Sequence, residues 1–302
     1  MIKLYKKKGL KLVIDYFFHK VEPKNIKISM VMIVKNEEDI IKENIIFHSK
    51  IGVDNFVILD NGSTDLTYEI LQNLKKDYEI TLLRDTGVFH QSKLTTKITK
   101  IAKKKYNPDW IITSDADEFW RPLDAKNLKE VLNFKGGILQ IPRNNMILYE
   151  GLKTWKNSEF RVANQILSLE DYENLNIQLG RIGRKVIINP HGYFKTNSGN
   201  HSAEHIAFWS KKEFKKIRVY HYPIRSFEQF LINAKIRIEA LKQGAKMGAH
   251  IKKWAKLLEE GKLEEEFYNR LLLNDEKIKC LLDLNVLKKD TSMKELFEKF
   301  DI

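Results

Sequence analysis

Between residues 28 and 117, short apolar runs alternate with segments whose apolar residues recur every three or four positions, the alternation expected of βαβ units on a parallel sheet. Ile28–Val34 (ISMVMIV) is almost wholly apolar, as a strand covered on both faces requires. Ile40, Ile41, Ile45 and His48 then repeat at helical spacing. Residues 56–59 predict a second strand, Asn61-Gly62-Ser63-Thr64-Asp65 a turn and helix cap, and Leu66, Ile70 and Leu74 the apolar stripe of the next helix. A third strand follows at 80–83. Leu94, Ile98 and Ile101 mark the inner face of a helix whose Lys97, Lys100, Lys103 and Lys104 turn to solvent. Asn107-Pro108 ends that helix, and residues 110–113 predict a fourth strand running directly into Asp115.

Beyond this the pattern loosens. Residues 137–142 and 185–188 read as strands, 144–184 give mixed signals, and from Ser226 onward the chain reads as helical, with Phe227, Phe230, Leu231, Ala234, Ile238 and Leu241 on one stripe. The expected class is α/β: a Rossmann-like, mixed but mostly parallel sheet flanked by helices. The expected domains are a catalytic one over 1–225, of which 1–25 form a basic N-terminal segment, and a helical extension over 226–302.

Composition narrows the partners. The 302 residues carry 53 Lys and Arg against 40 Asp and Glu, a net charge of +13 that favours anionic ligands. The basic residues are interleaved with acids along most of the chain, and no zinc, RNP or helix-turn-helix pattern stands out, so nucleic acid is not the expected partner. Cys280, the only cysteine, excludes an internal disulfide, points to a reducing cytosol, and reads as a buried helical thiol. No run reaches the ~20 apolar residues of a membrane span. The first 21 residues set Lys3, Lys6, Lys7, Lys8 and Lys11 among Leu4, Tyr5, Leu10, Leu12, Val13, Ile14, Phe17 and Phe18. That pattern suits a basic amphipathic helix, either packed on the domain or touching an anionic membrane surface. The expected location is therefore cytoplasmic, compatible with peripheral contact at the inner face of the plasma membrane. Abundant Lys and Ile are compatible with an AT-rich bacterial genome.

In open α/β sheets, ligands bind beyond the carboxyl ends of the strands. The residues there are Lys35-Asn36-Glu37, Asp60-Asn61-Gly62 and Asp115-Ala116-Asp117-Glu118. Asp115 and Asp117 are two apart on an extended segment, so both carboxylates point to one side. Two hard oxygen donors suit Mg²⁺ or Mn²⁺, which in turn holds a diphosphate that bare carboxylates would repel. An Asp-x-Asp alone is weak evidence. Here it ends an apolar strand and is followed by Phe119 and Trp120, an improbable composition for a solvent loop.

Ser29 to Glu38 (SMVMIVKNEE), Val57 to Asp65 (VILDNGSTD) and Trp110 to Trp120 (WIITSDADEFW), in that order and spacing, resemble glycosyltransferase family 2 and its relatives with a DADEF motif. The resemblance implies a GT-A fold, a nucleoside-diphosphate sugar donor with UDP favoured, a divalent metal at Asp115 and Asp117, and inversion of the anomeric centre. It implies a glycan or glycolipid acceptor of cell-surface polysaccharide type. It also implies that Asp60 lies near the base or ribose and that Asn36 and Glu37 line the same pocket. Lys35 and Asn61 depart from the family pattern, which often has Tyr and a second Asp there. Related sequences often show His-Tyr followed by Arg/Lys-Ser, which matches His221-Tyr222 and Arg225-Ser226 and makes His221 a candidate metal ligand or diphosphate donor and Arg225 a candidate phosphate clamp.

An inverting transfer also needs a base within reach of the acceptor hydroxyl. Four of the eight histidines, His191, His201, His205 and His221, fall within about thirty residues, and His201 and Glu204 are the candidates taken from that cluster. Glu170-Asp171 resembles a Glu-Asp near the acceptor site of relatives, although its helical surroundings favour a solvated face. Two other readings remain: a nucleotidyltransferase, which usually has a Gly-rich first loop absent here, and a non-catalytic basic binding protein.

Overall fold

The structure is a computed structural model and describes residues 2–87, 90–164, 176–180, 183–242, 244 and 248–302. The chain divides into two compact units, one of residues 1–143 and 183–219, the other of 144–182 and 220–302. The division differs from a cut at 225/226: the stretch 144–182, whose pattern predicted no element, groups with the C-terminal third.

The first unit starts with α1 (Ile2–Phe18) and continues β1 (Ile28–Val34), α2 (Ile41–Lys50), β2 (Asn55–Asp60), α3 (Thr67–Leu74), β3 (Ile80–Arg84), α4 (Gln91–Tyr106) and β4 (Trp110–Ser114). These follow the expected alternation element for element. After β4 come β5 (Glu118–Pro122), α5 (Leu128–Val131) and β6 (Ile138–Ile141). The chain leaves the unit in β7 (Arg143–Asn145) and passes through β8 (Phe160–Val162) of the second unit. It returns for β9 (Lys185–Ile188), β10 (Tyr193–Thr196), β11 (Ala203–His205) and β12 (Lys212–Glu213), and leaves again within β13 (Ile217–His221).

The main sheet has seven strands in the order β12-β6-β9-β4-β1-β2-β3. The pairs β4/β1, β1/β2, β2/β3 and β12/β6 are parallel, whereas β9 runs antiparallel to both β4 and β6. The sheet is mixed and mostly parallel. Helix α4 covers one face and packs Ile98 and Ala102 against Val31, Val57, Leu59 and Ile111. The other face is covered as well, since Met30, Met32, Phe56, Ile58 and Ile112 are all buried. Both faces being covered explains why β1, β2 and β4 are apolar almost throughout. Asn107 in the left-handed region (φ 45°) closes α4, as the Asn-Pro pair predicts. The stripe of α3 differs by one position. Thr67, Leu71 and Leu74 are buried while Leu66 is exposed, because the Asp65 side chain takes the Thr67 amide (3.0 Å) and starts the helix one residue later.

The second unit adds α6 (Phe227–Lys242), α7 (Ala249–Glu259), α8 (Leu263–Glu266) followed by a π turn at Phe267–Leu271, α9 (Asp275–Asp283), β14 (Leu287–Lys289) and α10 (Ser292–Phe300). Phe230, Ala234 and Ile238 pack with Ile251, Trp254, Leu263 and Phe267, as the predicted stripe on α6 requires. The region is not purely helical, because β14 pairs antiparallel with β8. Cys280 lies on α9 but is exposed, not buried: Ile278 faces the core, and two positions further the helix has turned by about 200°. Glu170 and Asp171 lie outside the described residues. Among those described, no helix is long and apolar enough to cross a membrane.

Candidate active site

The parallel register places Val34 opposite Asp60 and Met32 opposite Ser114, so the ends of β1, β2 and β4 open on one edge of the sheet. There the turn 115–117 is held by side chains from α2. Asn44 donates its amide to the carbonyls of Ala116 (2.7 Å) and Glu118 (3.0 Å). His48 sits 3.1 Å from the Trp120 backbone amide through Nε2 and 2.8 Å from the Asn44 carbonyl through Nδ1. Accepting at Nε2 and donating at Nδ1 fixes a neutral ring, and burial lowers the His48 pKa to about 3. Trp120 and Phe119 are fully buried, and the Trp120 indole donates to Ser114 Oγ (2.8 Å). The aromatic pair after the acids is thus the anchor of the turn. Asp115 and Asp117 themselves stay half-exposed.

Beneath them lies a charge network. Lys185, at the start of β9 and 1% exposed, reaches Asp115 Oδ2 at 2.5 Å and Glu118 Oε1 at 3.1 Å. Arg143 donates to Glu118 at 2.6 Å, and Glu118 is fully buried. Burial disfavours the ammonium, yet the charges of Asp115 and Glu118 outweigh it and hold the Lys185 pKa above its ordinary value. Two cations against two carboxylates leave the group neutral overall, which is what lets it sit under the sheet edge. Asn200 adds a longer contact to Asp115 Oδ1 (3.3 Å).

The β1 and β2 loops are laced together beside this group. Asn36, with φ 56°, donates its amide to Ser63 Oγ (3.0 Å) and accepts from the Thr64 amide (2.8 Å). The Glu37 amide donates to Thr67 Oγ1 (2.8 Å), and Gly62 takes φ 73°, which a side chain would strain. Asp60 is fully buried: its oxygens accept from the Ser63 amide (3.2 and 3.3 Å) and face Arg84 Nε at 3.3 Å. Asn61 Oδ1 is buried with no hydrogen-bond partner among the described residues, and Lys35 is exposed.

The remaining candidates divide. His201 follows Asn200 and its Nδ1 lies 2.8 Å from the Arg184 carbonyl. The ring packs so closely on Gly199 that an added Cβ there would lie 2.4 Å from it. Withdrawal of the ring from water, then the nearby Lys185 and Arg143, lower its pKa against the raising effect of the Arg184 carbonyl. Glu204 lies instead on the β10/β11 hairpin, exposed and paired with Lys195 at 2.9 Å. His221 and Arg225 belong to the second unit. His221 Nδ1 lies 2.6 Å from Asn145 Oδ1, and the buried Arg225 donates to the Tyr222 carbonyl at 3.3 Å. Sequence reasoning missed Lys185, Arg143 and Asn200. The one available signal was a lysine opening the otherwise apolar run KVII.

The model of the family described as Glycosyl transferase family 2 matches residues 29–185, just over half of the 302 residues. No curated protein sequence matches the chain. Similar solved structures include residues 1–349 of TarS from S. aureus in complex with UDP, at 15% identity, TM-score 0.41, and 80% of this chain against 72% of that one. GalNAc-T7 with UDP, GalNAc and Mn²⁺ is 12% identical at TM-score 0.40 over 65% of this chain and 44% of its own. Glucosyl-3-phosphoglycerate synthase from Mycobacterium tuberculosis, in complex with Mn²⁺, UDP and glucosyl-3-phosphoglycerate, is 14% identical at TM-score 0.37, covering 67% and 72%. Likenesses this distant add nothing about chemistry; the family match over the three strand-end motifs does, and by it the chain belongs to glycosyl transferase family 2 and is a nucleotide-sugar glycosyltransferase.

Proposed function

We propose that the enzyme moves a sugar from a nucleoside-diphosphate donor, a UDP-sugar by preference, to a hydroxyl of a glycan or glycolipid, inverting the anomeric centre and using Mn²⁺ or Mg²⁺ at Asp115 and Asp117. The observation that carries this reading is the half-open acid pair at the end of β4, on the edge where β1 and β2 also end.

The residues present fit such an ion. A carboxylate offers about four lone-pair sites, and Lys185 and Asn200 engage Asp115 at one contact each. The described residues contain no group of three His, Cys, Asp or Glu able to hold a metal by themselves. Asp115 and Asp117 would therefore hold the ion together with diphosphate oxygens and water, the arrangement Mg²⁺ favours, and metal and nucleotide would bind cooperatively. When bound, the ion supplies Lewis-acid neutralisation of the departing diphosphate.

The chain's own groups do the rest. Lys185 keeps the Asp115 carboxylate oriented. Asn61 Oδ1, a buried acceptor with no partner among the described residues, suits an N–H or O–H of the base or ribose. His201, neutral at pH 7 because its pKa is lowered, takes the proton from the acceptor hydroxyl. Its position next to Asn200 favours it over Glu204, whose carboxylate is paired with Lys195.

Calorimetric titration of UDP, GDP and CDP, with and without Mn²⁺, tests the donor site. Metal-dependent binding of UDP that disappears in Asp115→Ala/Asp117→Ala supports the reading. Binding indifferent to both metal and substitution would overturn it.

A further inference from the structure

The outer face of α1 and the turn at residues 208–209 play no part in the donor site, yet they expose most of the large apolar side chains of the described surface. Leu10 (62%), Ile14 (50%), Phe17 (59%) and Phe18 (80%) recur at i, i+4, i+7 and i+8, one stripe of a helix. Phe208 (75%) and Trp209 (61%) are exposed to the same degree. The opposite face of α1 is firmly seated. Tyr16 is buried with its ring edge-on to His205 at 5.3 Å. Asp15 pairs with Lys103 and accepts from the Gly192 amide at 3.0 Å, and His19 meets Asp109 at 2.9 Å. His205 lies three residues before Phe208, so the docked helix brings its apolar stripe to the neighbourhood of the aromatic turn.

The surroundings are basic. Lys11 and Lys20 on one side and Lys211, Lys212, Lys215 and Lys216 on the other are exposed. Lys135 donates to the carbonyls of Phe17 (3.3 Å) and His19 (2.7 Å) and sits over the Tyr16 ring. Of the nearby acids, Asp15 turns inward and Glu213 pairs with Arg184 at 2.9 Å, so that the exposed Glu22 stands against six exposed lysines. Among the described residues of the first unit, this apolar stripe with its Phe and Trp stays exposed, with lysines near it in the chain on both segments.

We propose that this face docks the enzyme on an anionic lipid bilayer, with α1 lying in the interface plane. Leu10, Ile14, Phe17, Phe18, Phe208 and Trp209 enter the boundary between headgroups and acyl chains, and the lysines meet the anionic headgroups. Burial of apolar side chains and attraction of a basic surround are the two signals that together give stable peripheral anchoring. A symmetric second copy is the poorer occupant, because two-fold pairing would set the lysine ring against itself. The proposal is independent of the donor-site reading.

The test is flotation of the full chain with vesicles of phosphatidylcholine alone and of equal parts phosphatidylcholine and phosphatidylglycerol, with light scattering on the free protein. Expected is binding to the anionic vesicles only, weakened by salt. Phe17→Ser/Phe18→Ser and Trp209→Ser should each lower partitioning about tenfold. All these side chains are exposed, so the melting temperature and UDP binding should not change. Three results would overturn the proposal: no flotation on anionic vesicles, flotation equal in wild type and variants, or a wild-type dimer that the same substitutions make monomeric.

Discussion

The ends of β2 and β4 each present an aspartate to the same sheet edge, and the two are handled in opposite ways. Asp60 is sunk, with its carboxylate capped by the Ser63 amide three residues on and by Arg84 from the adjacent strand. Asp115 keeps 37% of its side chain exposed and meets Lys185, 70 residues away. The first is a local brace that shapes a loop, which any chain with a short turn after a strand can build. The second is a carboxylate held in the open by a cation that only the antiparallel strand β9 can deliver. A site that must hold an ion in the open needs the second arrangement, because there part of the carboxylate still faces water.

The comparison can be broken at several points. The largest effect is expected at Lys185. Lys185→Met strips Glu118 and Asp115 of a buried partner and should cost about 3–5 kcal/mol of folding stability by urea denaturation. A loss under 1 kcal/mol would mean that Arg143 alone compensates the pair. Next comes Asp117→Ala, where turnover of the donor sugar should fall roughly a hundred- to a thousandfold with little change in melting temperature, since the side chain is half-exposed. At the β2 end the expectation reverses. Asp60→Ala should cost about 1–3 kcal/mol of stability, because it unmakes the Ser63 and Arg84 contacts.

A smaller and pH-dependent effect belongs to His48, which anchors the β4 turn in its neutral form. Its folded pKa of about 3 lies below the ordinary 6.5, so below pH 6.5 the unfolded chain binds more protons. Its contribution to stability is whole above that pH and declines by about 1.4 kcal/mol per pH unit towards pH 3. His191 and His205, both lowered to about 4, add slopes of the same sign. His48→Gln should flatten the fall in urea midpoint between pH 7 and 5 without abolishing it. The smallest effect is expected at Glu204. Glu204→Gln breaks only an exposed pair with Lys195 and should shift stability by less than about 1 kcal/mol. A drop in turnover of about a hundredfold or more would identify Glu204, not His201, as the base.

How far the sequence could be read follows the same division. The strands β1 to β4 and helices α2 to α4 were legible because a strand covered on both faces must be apolar throughout and a helix beside it must repeat every three to four residues. The stripe of α3 was displaced by one residue because a single side-chain contact from Asp65 decides where the helix begins. Residues 144–164 were opaque for another reason: β8 is three residues long and exists by pairing with β14, more than a hundred positions later. A strand that short carries no periodicity of its own. The exposure of Cys280 was missed because one residue on a helix has no pattern from which to tell its side.

By itself, then, the sequence determined the βαβ order, the strand-end motifs and the acid pair Asp115 and Asp117, because each is written in a run of neighbouring residues whose spacing the backbone geometry converts directly into a face or an edge. Tertiary structure alone decided which groups meet Asp115 and the neighbouring Glu118. Lys185, Arg143 and Asn200 come to Asp115 and Glu118 through sheet pairing and loop return over 25 to 85 positions. Such contacts leave no local signature, since a lysine that will be buried against two carboxylates is spelled no differently from one that will face water.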